Sequence, residues 1–169
     1  TDDAIKEMLH GTLVLDGGSA ERLCNRGFTE YLGVEVKENT GKIVSGEIFA
    51  ENQKKSVNKQ TNPREIKIID ENVKPLTLCY HLTGGVEKEI LFPASTLYKN
   101  SLGGTVIVFG GDAKTKFHYT TAFGFLNETR KNQIVELLKE HGDLPVYTPD
   151  DDEIYLKSAD MEDGSLFCA

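Results

Sequence analysis

The chain has no tryptophan, only three cysteines, five prolines and two methionines in 169 residues, and aromatics make up 8% of it. Lack of tryptophan removes the broadest face on which a sugar ring stacks, and the six tyrosines and eight phenylalanines are spread widely. Cys24, Cys79 and Cys168 are odd in number and contain no Cys-x-x-Cys, so they show neither metal nor redox spacing. Each falls in an apolar stretch where cysteine behaves as a small hydrophobe, and the compartment is left open. No apolar run approaches the ~20 residues that span a bilayer, which argues against membrane insertion. Basic charge is scarce: 19 Lys and Arg against 27 Asp and Glu leave a net charge of −8. That sign repels phosphate backbones and excludes nucleic acid as an expected partner. Lys54, Lys55 and Lys59, the densest basic group, lie in a polar stretch without stacking aromatics and read as a solvated loop. Histidine is scattered singly at His10, His81, His118 and His141, with no His-x-x-x-His or His-Glu-x-x-His pair. His81 and His118 read as strand residues, and His141 as a cation near a helix end.

Hydrophobic residues make up 38% of the chain, enough for one buried core. Residues 11–27 read as a strand, a glycine turn and a capped helix. Leu13-Val14-Leu15 is short enough for a buried strand; Asp16, Gly17 and Gly18 break it, and Ser19 is the expected N-cap. Ala20, Leu23 and Cys24 share one helical face, and Gly27 stands where a left-handed residue closes a helix. A strand feeding a helix this directly opens an α/β layer. Upstream, Asp2 or Asp3 caps a helix running to His10, with Gly11 ending it. Downstream, Phe28, Tyr31 and Leu32 pack on the same core before Gly33.

From Val34 to Gly111 the pattern is of strands: Val34–Val36, Ile43–Ala50, Ile66–Ile69, Leu76–Leu82, Ile90–Phe92 and Thr105–Phe109. Gln53 to Pro63 is polar and reads as a loop. A second strong helix spans Asn127 to Gly142, with Asn127 as N-cap, Gly142 as the C′ residue, and Ile134, Leu137, Leu138 and His141 as its apolar stripe. After Pro145, Glu153–Lys157 and Leu166–Cys168 are β-like pieces joined by an acidic turn. A chain that starts at Thr1, with its first Met at Met8, and stops within a strand-like stretch reads as a segment of a longer protein.

The candidate sites are few. Gly103-Gly104 and Gly110-Gly111 bracket a strand; Gly111-Asp112-Ala113-Lys114-Thr115 has alanine where a phosphate loop needs glycine, and Asp112 adds negative charge. Tight turns are the better reading. Asp150 to Glu153, with Asp160, Glu162 and Asp163, are oxygen ligands in principle, but their spacing is not that of an EF-hand and successive strand carboxylates diverge. Asn127-Glu128-Thr129 matches a glycosylation acceptor and equally a helix start. Cys24 is the one nucleophile by residue type, yet it falls late in its helix beside Leu23, where packing is the expected role. No catalytic, cofactor-binding or metal-binding residue is assigned, and no cofactor is expected.

Three stretches carry a resemblance: 3–34, with its Leu15-Asp16-Gly17, Arg26-Gly27 and Leu32-Gly33-Val34; 93–109, from Pro93-Ala94-Ser95 to Phe109; and Asn127–Gly142 running into Leu144-Pro145-Val146. Together, about half of the chain, they resemble the amidotransferase-like, flavodoxin-like α/β domain attached to β-galactosidase-type glycoside hydrolases, known as a trimerisation domain. The resemblance implies an accessory domain over 1–145, incomplete at its N-terminus, and the start of a β-sandwich over 146–169. No Gly-x-Cys-x-Gly elbow or His-x-Glu pair occurs, so it implies a non-catalytic unit whose parent's carboxylate pair lies in a barrel elsewhere. Implied partners are that barrel and a homo-oligomer. The strand-rich 35–89 is not matched to the family, so the sheet is expected to be mixed rather than cleanly parallel. The expected fold is α/β or α+β, a three-layer-like mixed sheet flanked by a few helices, with a β-rich C-terminal tail. The alternatives are a carbohydrate-binding module using the strand-rich middle, and a thiol hydrolase centred on Cys24.

Overall fold

The computed structural model describes residues 1–58, 63–112 and 127–142, and the backbone of 157–161 and 164–168. Thr1, rather than Asp2 or Asp3, opens α1 (Asp2–Met8): its hydroxyl accepts from the Ala4 N–H, and the two aspartates occupy the first turn, where the helix dipole favours them. After β1 (Thr12–Leu15) comes α2 (Gly17–Asn25), capped not by Ser19 but by Asp16, whose Oδ1 accepts from Ser19 N at 2.8 Å. Asp and Ser cap equally well. The first residue of α2 is glycine because it passes close to the backbone of Gly110: a Cβ there would sit 2.3 Å from the Gly110 carbonyl oxygen. Gly27 ends α2 with φ +88°, as the sequence leads one to expect. The short α3 (Thr29–Leu32) closes on Gly33, whose φ of +68° already favours glycine, and a Cβ there would lie 2.5 Å from Val73.

The main sheet has six strands in the order β1-β8-β7-β6-β3-β4, comprising β1 with β3 (Gly46–Phe49), β4 (Ser56–Asn58), β6 (Lys74–Thr83), β7 (Glu87–Lys99) and β8 (Thr105–Phe109). Among its described strands only β1 and β8 are parallel and every other pair is antiparallel, so the sheet is mixed. A separate antiparallel pair joins β2 (Val34–Lys37) to β5 (Glu65–Ile68). The short strand expected at Ile90–Phe92 proves to be the middle of β7. Its continuation passes through Pro93, which has no N–H to give a ladder, and the register with β6 slips between Thr77 and Leu78, beside that proline. The loop expected over Gln53–Pro63 contains β4, a three-residue edge strand. Farther on, β9 (Lys157–Met161) and β10 (Gly164–Cys168) form an antiparallel hairpin in the β-rich tail.

Both faces of the sheet are covered, which makes three layers. On one face Leu15, Val106, Val108 and Tyr98 pack with Ala20 of α2, Leu32 of α3, Val34 and Val36 of β2 and Ile66 of β5. Asn100, buried in the β7–β8 turn, ties this layer to the α1–β1 turn: its Nδ2 donates to Leu9 O at 2.9 Å, and its Oδ1 accepts from the N–H groups of Leu102 and Gly104. On the other face Ile107 and Phe109 of β8 pack against Leu137 and Ile134 of α4 (Glu128–His141). Asn127 caps α4 as expected, accepting from Arg130 N at 2.8 Å. Gly142 is extended (φ −107°) rather than left-handed, and its N–H closes the last turn on Leu138 O.

The buried stripe of α4 differs from the apolar one expected. It consists of Arg130, Gln133 and Leu137, with Ile134 half-buried. The cause lies in the strands beneath. Glu47 of β3 is 0% exposed and accepts from Arg130 Nη2 and from the Thr77 hydroxyl; Thr77 in turn meets Ser95 Oγ at 2.6 Å. Arg130 also donates to Gln133 Oε1, and its guanidinium lies 4.7 Å from the centre of the Phe109 ring. A buried charge left without its partner is far costlier than the intact pair is favourable. Arg130→Met is therefore expected to destabilise the protein by about 3–5 kcal/mol in urea denaturation, and adding Glu47→Leu to recover most of that loss. Equal destabilisation by the double variant would refute this account of how α4 is seated.

Candidate functional site

Ligands of open α/β sheets settle at the carboxyl ends of parallel strands. Here β1 and β8 end side by side, at Leu15-Asp16-Gly17 and Phe109-Gly110-Gly111, with Gly17 N donating to Gly111 O at 3.1 Å. Gly110 lies between two strands: its N–H reaches Ala94 O at 2.8 Å, and its carbonyl accepts from Arg64 N at 2.8 Å. That last bond brings the Arg64 side chain across the glycine pair opening α2, so that a Cβ on Gly17 would stand 3.0 Å from Arg64 Cδ.

The guanidinium of Arg64 is fully engaged. Nε lies 3.1 Å from Asp112 Oδ1, Nη2 lies 3.3 Å from Asp112 Oδ2, and Nη1 donates to Glu21 Oε2. Burial works against the charge of Arg64, but Asp112, then Glu21 and Glu38, outweigh it and hold its pKa above the ordinary value. A helix N-terminus at a strand end normally attracts an anion. In this crevice the space is filled by an arginine that brings its own carboxylates, and Asp16 spends its side chain on the cap. The arrangement clamps the β5 end to the α2 start and opposes an incoming phosphate.

The residues singled out from the sequence do not converge. Cys24 is half-buried, and its thiol donates to Val34 O at 3.4 Å. Burial pushes its pKa up, the reverse of what a nucleophile needs. Cys79 is fully buried and pushed up further, again by burial. His10 Nδ1 lies 3.1 Å from Leu102 O, and His81 Nδ1 lies 3.4 Å from Ser45 Oγ. His141 sits at the end of α4, where its carbonyl accepts from the Thr12 hydroxyl. Asn127 commits its side chain to the cap and to Val57 O. Gly103 makes its turn with φ +89°, and Asp112 pairs with Arg64 instead of facing a ligand. Lys59, Lys114, Thr115, His118, Asp150 to Glu153, Glu162 and Asp163 lie outside the described residues, as does the side chain of Asp160. Among the described residues no three His, Cys, Asp or Glu gather closely enough to hold a metal, and no helix is long and apolar enough to cross a membrane.

Arg64, Glu21 and the Glu47–Arg130 pair escaped the sequence reading. The one signal for the first was Asp112 beside a glycine pair, which marks a strand end but not its partner. Cys24 supplies a direct check of the site chemistry. Its alkylation by iodoacetamide, followed by site-resolved mass spectrometry, should show a pH–rate midpoint above the ordinary thiol value of 9.0. Cys79 should react more slowly still, and urea should bring both to the rate of a free thiol. A midpoint for Cys24 below that ordinary value would restore it as a nucleophile.

Comparisons with protein-family models, with curated proteins and with solved structures found no match to this chain.

Proposed function

We propose that this unit is a non-catalytic accessory domain of a carbohydrate-active enzyme, packing against a neighbouring catalytic barrel or a second copy of the chain. The observation that carries the reading is spatial. The three stretches that resemble the amidotransferase-like domains of glycoside hydrolases are far apart in sequence but adjacent in the fold. β1, from the first, pairs along its length with β8, from the second, and α4, the third, lies on β8 through Leu137 and on β1 through the Thr12–His141 bond. The strand-rich 35–89, which lies outside the three stretches, supplies β3, β4 and β6 of the main sheet and most of the β2–β5 pair on the α2 side.

The crevice supports the same reading. Arg64, Asp112 and Glu21 occupy the strand ends where an α/β enzyme places its substrate, and Cys24 packs as an uncharged thiol. These residues serve architecture, which suits a domain whose role is to hold a neighbour. The test is size-exclusion chromatography and glycoside hydrolysis of the full-length protein with and without residues 1–145. Loss of the oligomer, or a drop in hydrolysis, is the expected result; unchanged assembly together with unchanged hydrolysis overturns the proposal.

A further inference from the structure

A cleft of about 210 Å³ opens beside α4 on the opposite side of the sheet from α2, lined by Phe49 of β3, Lys55 just before β4, and Thr129, Asn132, Gln133 and Glu136 of α4. Its innermost polar group is Gln133, which is 7% exposed. The Gln133 carbonyl oxygen accepts from Arg130, which turns the amide nitrogen away from the guanidinium. Among the described residues that nitrogen has no acceptor, and it is not sealed from solvent.

Two charges of opposite sign stand at the same cleft. Lys55 holds its ammonium 4.8 Å above the centre of the Phe49 ring. Glu136 is exposed on α4, and neither it nor Lys55 forms an ion pair among the described residues. A simple anion would meet Glu136, and a simple cation would meet Lys55. A neutral sugar would have to displace Lys55 to stack on Phe49. Gln133 and Glu136, three residues apart on one helix, present side chains from points roughly 5–6 Å apart. Pockets for drug-sized ligands hold roughly 300–1,000 Å³, so this cleft suits a smaller molecule.

We propose that the cleft binds a small zwitterion, a free α-amino acid, with its carboxylate on Lys55 and the Gln133 amide and its ammonium on Glu136. The inference goes beyond the accessory role and does not depend on it. Isothermal titration of the chain with L-alanine, acetate, methylammonium and D-glucose tests it. L-alanine should saturate with a Kd in the millimolar range, and each of the other three should bind at least about threefold more weakly. Lys55→Gln and Glu136→Gln, both at exposed positions, should each weaken L-alanine by about threefold to fivefold, while Lys99→Gln leaves it unchanged. Circular dichroism spectra matching the parent's confirm that the variants are folded. The proposal is overturned by failure of L-alanine to saturate below about 50 mM, by equal binding of acetate, methylammonium or glucose, or by Lys55→Gln and Glu136→Gln proteins that bind like the parent.

Discussion

The ion pair between Glu47 and Arg130 is the constraint around which the rest of the architecture is arranged. Both side chains are withdrawn from water, so neither tolerates the loss of the other. Their union joins the strand-rich region to the longest helix among the described residues, across 83 positions of sequence. Thr77 and Ser95 extend the network into β6 and β7, Gln133 extends it along α4, and Phe109 provides a ring beneath the guanidinium. An apolar helix face would adhere to this sheet in many registers. A helix that must bring one guanidinium to one carboxylate has far fewer ways to dock, which is the use of a buried charge best attested in other proteins.

The other face of the sheet solves a different problem with the same chemistry. Where β1 and β8 finish, the backbones of Gly17 and Gly110 come too close for any side chain, and the start of α2 leaves N–H groups pointing outward. Arg64 crosses that gap, and Asp112 and Glu21 neutralise it. The strand ends are thereby tied to β5 of the small sheet. A place that other α/β sheets leave open for a ligand is here a joint between layers, and that is what gives the accessory reading its physical basis.

Much of the local structure was legible in the residues. The β1–α2 unit, the left-handed Gly27, the Asn127 cap and the positions of β2, β6 and β8 follow from short-range rules, and the mixed sheet is as expected. Smaller displacements are local: Asp16 takes the cap that Ser19 could equally have supplied. Other features were not legible because they depend on what lies across the sheet. Glu47 lies within the run Ile43–Ala50 with no residue pattern that marks it as buried; with both faces of the sheet covered, alternation no longer separates water from core. Arg130 and Gln133 read as the polar side of α4, and only the carboxylate beneath turns that side inward.

The sequence by itself determined which segments become strands and helices and where most of them stop. Propensity, capping and glycine conformation act over a few residues and need no distant partner. Only the tertiary structure decided which side of α4 is buried, which strands are neighbours, and that Arg64 closes the carboxyl ends of β1 and β8. The strand neighbours are settled by backbone ladders and shared apolar burial, the α4 face and the closed crevice by charge pairs, and the partner of each is set by the path of the chain through space.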